Sequence, residues 1–170
     1  CGACVASCLY EALSLKKKKA AIDRKRCVGC GACMHACEFG ALMIDWKTDT
    51  PVFLERVVEY AAAALAPHVK TAHITFVNNI SPGCDCEGHS DAPICPDIGV
   101  LVSDDPVAID QAGLDLVNQA PPSFPSALPK RLSAGDDKFM ALHPDVDGSY
   151  ALEYAEKLGL GTRTYALIKV

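Results

Sequence analysis

Two groups of cysteines near the start of the chain have the spacing of metal ligands rather than that of a disulfide framework. Residues 27–37 (CVGCGACMHAC) form a complete C-x2-C-x2-C-x3-C run, and residues 1–8 (CGACVASC) contain the last three cysteines of the same run. Cysteines so close together on a tight loop converge on a common point more readily than they pair across a core. The two runs therefore predict thiolate ligands for a metal centre.

The spacing of the complete run is the ligand pattern of bacterial two-cluster ferredoxins, in which the fourth cysteine of each run binds the other cluster. We therefore predict two [4Fe–4S] clusters, one of which lacks its fourth ligand in this chain. The first would be held by Cys27, Cys30, Cys33 and Cys8, and the second by Cys1, Cys4 and Cys37. The fourth ligand of the second cluster would lie three residues before Cys1, so we expect the protein to begin upstream of this chain. If the chain were complete, that cluster would be a [3Fe–4S] species or would take a non-protein ligand.

Zinc is the alternative metal, because tetrahedral zinc sites also use C-x2-C pairs. Two interlocking four-cysteine runs nevertheless favour iron–sulfur clusters over zinc. The bacterial run usually ends in Cys-Pro, whereas Leu9 and Glu38 follow the last cysteines here, which would alter the local turn rather than the ligation. The negative charge of Glu38 would lower a cluster's reduction potential. We interpret His35 as a surface or packing residue rather than a ligand.

A second group of candidate ligands lies between residues 84 and 97, which contain three cysteines, one histidine and three aspartates. The cysteines are Cys84, Cys86 and Cys95. One interpretation is a second metal site or a redox-active thiol group. The other, which we favour, is that these cysteines are buried or semi-buried small side chains and that the aspartates make turns.

Asp104 and Asp105 stand between a predicted strand and a helix that is predicted to begin at Pro106. Ligands bind at this edge of open α/β sheets. An acidic residue before a helix-starting proline is also a usual N-cap, and we favour that interpretation.

The composition indicates a globular chain with a core of ordinary size. Half of the 170 residues are hydrophobic, and the formal net charge is −5, which argues against nucleic acid as a partner. The four lysines at 16–19 are interpreted as a solvated turn. The chain has no signal peptide and no apolar stretch of about 18 residues, so we expect no membrane association. Thiolate ligands need a reducing compartment, so we expect the protein to be cytoplasmic.

The cysteine runs belong to an internal repeat of about 26 to 29 residues that covers a predicted module at residues 1–46. Each half is predicted to contain a cysteine loop, a short helical turn and a short strand. The predicted strands are residues 13–15 and 20–23, which flank the lysine turn, and residues 42–45.

A second predicted domain covers residues 47–170. Helices are expected from Thr50, as N-cap, to about residue 65, over 106–119, near 136–142 and over 149–158; strands are expected at 72–80, 98–103 and 163–170. The alternation predicts part of an α/β domain with a mostly parallel sheet. With only three strands, this segment would be about half of such a domain. The fold class expected for the whole chain is therefore α+β and α/β.

Five segments carry a resemblance to a known family. They are CVGCGACMHAC, VEYA, NNISPGCDC, PDIGVLVSDDPVAIDQAGLDLVNQAP and LEYAEKLGLGTRTYALIKV. They resemble a family of uncharacterised iron–sulfur centre proteins, in which a domain of unknown function carries an inserted two-cluster ferredoxin module. The resemblance implies that this chain is the C-terminal part of a longer protein. It also implies a distant similarity to nickel-containing lactate racemases, which would concern mainly the missing half.

We therefore predict an iron–sulfur protein that transfers electrons through two [4Fe–4S] clusters. Its expected partners are a redox protein and the missing N-terminal part of the same protein. The alternative is a redox enzyme whose α/β domain binds a metal or small molecule near residues 84–97, with the clusters supplying electrons. A third interpretation is that the clusters are structural. No catalytic residue is assigned.

Overall fold

The computed structural model describes residues 1–43, 50–68, 70–84 and 89–170. The chain divides into two compact units, Cys1–Lys47 and Thr48–Val170. At the coarsest level the protein is mixed α/β with short antiparallel sheets. Cys86, one of the candidate ligands, lies outside the described residues, as does the end of the strand predicted at 42–45; Leu42 and Met43 are not in a strand.

The first unit contains two one-turn helices and a hairpin. Its elements are α1 (Ala3–Ala6), β1 (Leu13–Lys16), β2 (Lys19–Ile22) and α2 (Ala32–His35). The strands pair antiparallel from Leu13 opposite Ile22 to Lys16 opposite Lys19. Lys17 and Lys18 form the two-residue turn with φ values of 50° and 62°, as a hairpin loop of this length requires. The hairpin predicted around the lysines is therefore confirmed.

The internal repeat is visible in the backbone of this unit. Gly2 precedes α1 with φ 90°, and Gly31 precedes α2 with φ 75°. A residue with a side chain is strained in this left-handed conformation, so glycine is the residue expected at both positions. Further along each half, Glu11 and Gly40 occupy equivalent positions and have φ values of 48° and 58°. The two halves therefore share a backbone path as well as a cysteine spacing.

The second unit contains four helices and one two-stranded sheet within its described residues. The elements are α3 (Thr50–Leu65), β3 (His73–Val77), β4 (Gly99–Ser103), α4 (Pro106–Gln119), α5 (Lys138–Leu142) and α6 (Gly148–Lys157). All four predicted helices and two of the three predicted strands are confirmed, with shifts at their ends. Thr50 is the first residue of α3 rather than its cap.

The sheet of the second unit differs from the parallel sheet that the sequence predicts. Strands β3 and β4 pair antiparallel, from His73 opposite Ser103 to Val77 opposite Gly99. A parallel pair needs a crossover connection, usually a helix. The described residues between 78 and 98 contain no helix, so the chain returns beside β3 in the opposite direction.

The core of the second unit consists of two clusters of buried residues among its described residues. One cluster of buried residues contains Val77, Ile94, Cys95, Val117 and Leu128. A second cluster joins α3, α4 and α6 through Val58, Val107 and Ala155. Burial of these apolar side chains is the main force that holds the helices on one another.

The predicted C-terminal strand at residues 163–170 is not present. The start of this segment is bound by side chains to α4 instead. Arg163 Nε donates to Gln111 Oε1 at 2.7 Å, and Tyr165 Oη donates to Asp115 Oδ2 at 2.9 Å. The start of this segment therefore hydrogen-bonds to a helix through its side chains instead of pairing with a neighbouring strand.

Asp105 is the N-cap of α4, as we favoured from the sequence. Its Oδ1 accepts hydrogen bonds from the backbone N–H groups of Val107 at 2.8 Å and Ala108 at 2.9 Å. Its Oδ2 accepts from the N–H of Thr162 at 2.8 Å. One carboxylate therefore caps the helix and also attaches the chain that follows α6 to it.

Candidate functional site

Four of the predicted ligands line one pocket in the first unit. They are Cys8, Cys27, Cys30 and Cys33, and the empty space within the pocket is about 360 Å³, part of it open to solvent. Most of the other lining side chains are apolar or aromatic: Tyr10, Ala12, Leu13, Ile22, Val28 and Ala32. This is the set of four cysteines that the crossed pattern assigns to one cluster.

The pocket forms because three elements meet at its wall. Leu13 and Ile22 are opposite each other at the open end of the hairpin, and Cys33 lies on α2. Cys8 and Cys33 are partly buried, whereas Cys27 and Cys30 are exposed. Among the described residues of the lining, the candidate metal ligands are the four thiols and the phenol of Tyr10.

The other predicted set, Cys1, Cys4 and Cys37, is not part of that pocket lining. Cys4 is buried, Cys37 is partly buried and Cys1 is exposed. Helices α1 and α2 contact each other. Within the described ranges, no three His, Cys, Asp or Glu side chains are close enough together to hold a single metal ion, and no disulfide joins the described cysteines.

The last cysteine of each run accepts a backbone hydrogen bond at its sulfur. Ala12 N donates to Cys8 Sγ at 3.3 Å, and Ala41 N donates to Cys37 Sγ at 3.3 Å. The left-handed residues Glu11 and Gly40 precede these donors. Backbone N–H groups of Ala41 and Phe39 lower the pKa of the Cys37 thiol, because a donor stabilises the charged thiolate.

The candidate ligands of the second unit differ in how far they are buried. Cys84 is exposed, whereas Cys95 is 1% exposed and belongs to the apolar core. Burial raises the pKa of the Cys95 thiol. Asp97 Oδ1 accepts a hydrogen bond from Asn79 N at 2.7 Å and so closes the loop. These placements support the interpretation of Cys95 as a core side chain and of Asp97 as a turn residue. For Cys84 the favoured interpretation is wrong, because this side chain lies outside the apolar core and is exposed.

Two remaining sequence interpretations concern exposed residues. His35 lies on the surface at the end of α2, and Glu38 is exposed after Cys37. Both positions are those expected of solvent-facing residues. The partly open cysteine pocket is lined by neither of them.

Sequence reasoning missed a buried lysine. Lys138 is 0% exposed, and its Nζ donates to the backbone oxygen of Asn118 at 2.7 Å. Asn118 Oδ1 accepts from Lys138 N at 3.0 Å, so the two residues bind each other twice. No sequence signal marks this lysine, because its position at the start of a short helix is also typical of exposed lysines.

Lys138→Met is expected to change the pH dependence of stability. Burial lowers the pKa of Lys138 from its ordinary value of 10.5. Between that lowered pKa and 10.5 the unfolded chain binds more protons, so the free energy of unfolding of the wild type rises with pH. The methionine variant lacks this contribution. The free energy of unfolding of the wild type minus that of the variant should therefore increase as the pH rises toward 10.5. Urea unfolding of both chains across that range measures the difference; a pH-independent difference would contradict the prediction.

Sequence reasoning also missed part of a basic cluster beside the cysteine pocket. The lysines at 16–19 were noted, but Arg24, Lys25 and Arg26 are exposed on the turn that leads to Cys27. The charge balance of residues 1–43 taken alone would have indicated this cluster.

The first unit is thus cysteine-rich, and the second is a mixed α/β unit without an assigned reaction. A protein family described as Domain of unknown function (DUF362) matches residues 15–115. The chain belongs to this family. No curated protein matches the chain, and no solved structure matches it. Among the described helices, none has the length and hydropathy required to cross a membrane.

Proposed function

We propose that the first unit is a ferredoxin-type module that binds two [4Fe–4S] clusters and transfers electrons. The observation that carries the proposal is the pocket lined by Cys8, Cys27, Cys30 and Cys33. Three of these residues come from one run and the fourth from the other, which is the crossed pattern of two-cluster ferredoxins. Cys1, Cys4 and Cys37 supply three thiolates to the second cluster.

The residues of the module have separable roles in this proposal. The seven cysteines ligate, and when bound the clusters supply one-electron chemistry. The N–H groups of Ala12 and Ala41 donate to the sulfurs of Cys8 and Cys37. Such hydrogen bonds stabilise negative charge on the sulfur and raise the reduction potential. The exposed carboxylate of Glu38 acts in the opposite direction. Apolar side chains form most of the remaining lining of the pocket of Cys8, Cys27, Cys30 and Cys33, which is partly open to solvent.

A reducing compartment is required to keep these thiols available as ligands, so we place the protein in the cytoplasm. We also propose that the redox partner of the module is a separate protein and that the missing N-terminal part of the same protein is a further partner. The family domain that matches residues 15–115 includes parts of both units.

Anaerobically purified chain is expected to contain about seven to eight iron atoms for about eight acid-labile sulfides, because the second proposed site has three cysteine ligands and holds either a [3Fe–4S] or a [4Fe–4S] cluster. The dithionite-reduced protein should show the EPR spectrum of reduced [4Fe–4S] clusters, because two thiolate runs provide the ligands. Metal analysis, sulfide analysis and EPR spectroscopy measure this outcome. Zinc in place of iron would exclude the proposal, and clusters that are not reversibly reduced would indicate a structural role.

A further inference from the structure

Positive charge is concentrated in the first unit although the chain as a whole is acidic. The described residues 1–43 contain seven Lys and Arg residues and three Asp and Glu residues, whereas the whole chain contains 16 and 21. The seven cations are Lys16, Lys17, Lys18, Lys19, Arg24, Lys25 and Arg26, and all are exposed. We call these seven residues the basic edge.

The backbone holds the two parts of the basic edge in defined positions. Lys17 and Lys18 form the tight turn between β1 and β2. In the turn after β2, Asp23 Oδ1 accepts from Lys25 N at 3.0 Å, and Asp23 O accepts from Cys27 N at 3.0 Å. Arg26 is oriented by an ion pair of 2.6 Å with Glu11. The charges are therefore presented by two ordered turns.

The second of these turns leads directly into the cysteine pocket, whereas the lysine turn lies at the other end of the hairpin. Strand β2 runs from the lysine turn to Ile22, which lines the pocket, and the second turn ends at Cys27, another lining residue. Lys19 and Ile22 are three residues apart on a strand, about 10 Å. Arg24 and Lys25 are nearer in sequence to Cys27. The cations of the second turn are thus next in the chain to a residue of one proposed cluster site, and Lys19 lies about 10 Å along the strand from another.

The rim of the pocket adds apolar contact surface. Tyr10 is 47% exposed and Val28 is 50% exposed, and both line the pocket. Protein–protein interfaces usually have an apolar centre with a rim of polar and charged residues. A small interface of this kind is sufficient for redox partners, whose complexes are weak and transient.

We propose that the basic edge docks an acidic one-electron carrier protein, which exchanges electrons with the chain at the pocket of Cys8, Cys27, Cys30 and Cys33. This inference rests on the proposed function. Opposite charges on the two surfaces accelerate association and orient the encounter. The exposed apolar rim of Tyr10 and Val28 favours a protein partner over a phosphate backbone or an anionic lipid headgroup surface, because apolar contact area is a feature of protein interfaces.

The test uses the full chain and an oxidised flavodoxin, which is an acidic one-electron carrier protein. The dissociation constant is measured by titration calorimetry, from low salt to about 0.2 M, and is expected to rise by about tenfold across that range. Stopped-flow mixing then follows the flavin. One electron leaves the dithionite-reduced chain and, with one proton from solvent, converts the oxidised flavin to its neutral semiquinone.

Charge reversals locate the docking surface. The double variants Arg24→Glu with Lys25→Glu, and Lys17→Glu with Lys18→Glu, should each weaken binding at low salt by about tenfold or more and slow the flavin reaction to match. Lys130→Glu with Arg131→Glu is the matched control, since both residues are exposed in the second unit and the change in net charge is the same. The control should bind within about twofold of the wild type.

The outcomes separate this proposal from the proposed function. A chain without iron and sulfide removes the redox role and the docking proposal with it. If iron-loaded chain binds flavodoxin without salt dependence, or if the control variant loses as much affinity as the edge variants, only the docking proposal is overturned. Tighter binding to a short RNA or to vesicles rich in phosphatidylserine than to flavodoxin would also overturn it. Loss of rate with unchanged affinity and a shifted reduction potential would assign the cations to potential tuning instead.

Discussion

Cys30→Ser is expected to remove between about one iron atom and about half of the iron from the purified chain, because it leaves one of the two proposed clusters with three cysteine ligands, and such a cluster is either a [3Fe–4S] species or lost. Cys30 is exposed and lines the pocket with Cys8, Cys27 and Cys33. A serine hydroxyl is far less acidic than a thiol and is a poor substitute for a thiolate ligand. Iron and sulfide analysis, with EPR of the reduced protein, measures the loss.

Cys84→Ser is the matched control for that experiment. Cys84 is also exposed but lies in the second unit, so its replacement should leave the iron content unchanged. Equal iron in both variants and in the wild type would contradict the ligand assignment. Loss of a second metal from Cys84→Ser alone would instead support the alternative of a metal site near residues 84–97.

Gly161→Ala is expected to destabilise the second unit by about 2–3 kcal/mol, a cost typical of an overpacked site together with a damaged helix cap. A Cβ atom at this position would lie 2.0 Å from Asp105 Oδ1 and 2.6 Å from Asp105 Cγ. The carboxylate has little freedom to move, because it already accepts hydrogen bonds from Val107, Ala108 and Thr162. Either the cap or the attachment of the chain after α6 must break.

Gly148→Ala is the control, because a Cβ atom there would meet nothing within 4 Å. Alanine should be tolerated at this first position of α6 and should change stability by less than about 1 kcal/mol. Urea unfolding measures both variants. A Gly161→Ala midpoint equal to that of the wild type would show that Asp105 moves away at low cost and that the three hydrogen bonds do not act together.

The elements that were predicted well are those whose signals are local. Helix α4 spans Pro106–Gln119, as expected from its acidic cap, its N-terminal proline and its apolar periodicity. The hairpin of β1 and β2 follows from two short strands with a two-residue turn. The repeated cysteine loops predicted a shared backbone path, and the equivalent conformations of Gly2 and Gly31 agree with it.

The incorrect predictions concern contacts between distant parts of the chain. Alternation of helices and strands indicated a parallel sheet, but β3 and β4 are antiparallel since the described part of their connection contains no crossover helix. Residues 163–170 have the composition of a strand, yet Arg163 and Tyr165 bind side chains of α4 instead. The strand propensity of a segment does not determine which neighbouring element it forms hydrogen bonds with.

For the candidate site, the sequence by itself determined the spacing of the thiols, from which we predict the ligand chemistry, because the spacing of Cys27, Cys30 and Cys33 is a local property of one loop. The crossed pattern also predicted that Cys8 joins them, and the lining of the pocket agrees with that prediction. Only the tertiary structure decided how far each side chain is buried: Cys95 lies in the core, Cys84 is exposed, and Arg24 and Lys25 are exposed. The physical reason is the same in each case. The chemistry of a thiol or a cation is a property of the side chain itself. Its burial and its neighbours depend on how the helices and strands pack, and that packing involves the whole unit.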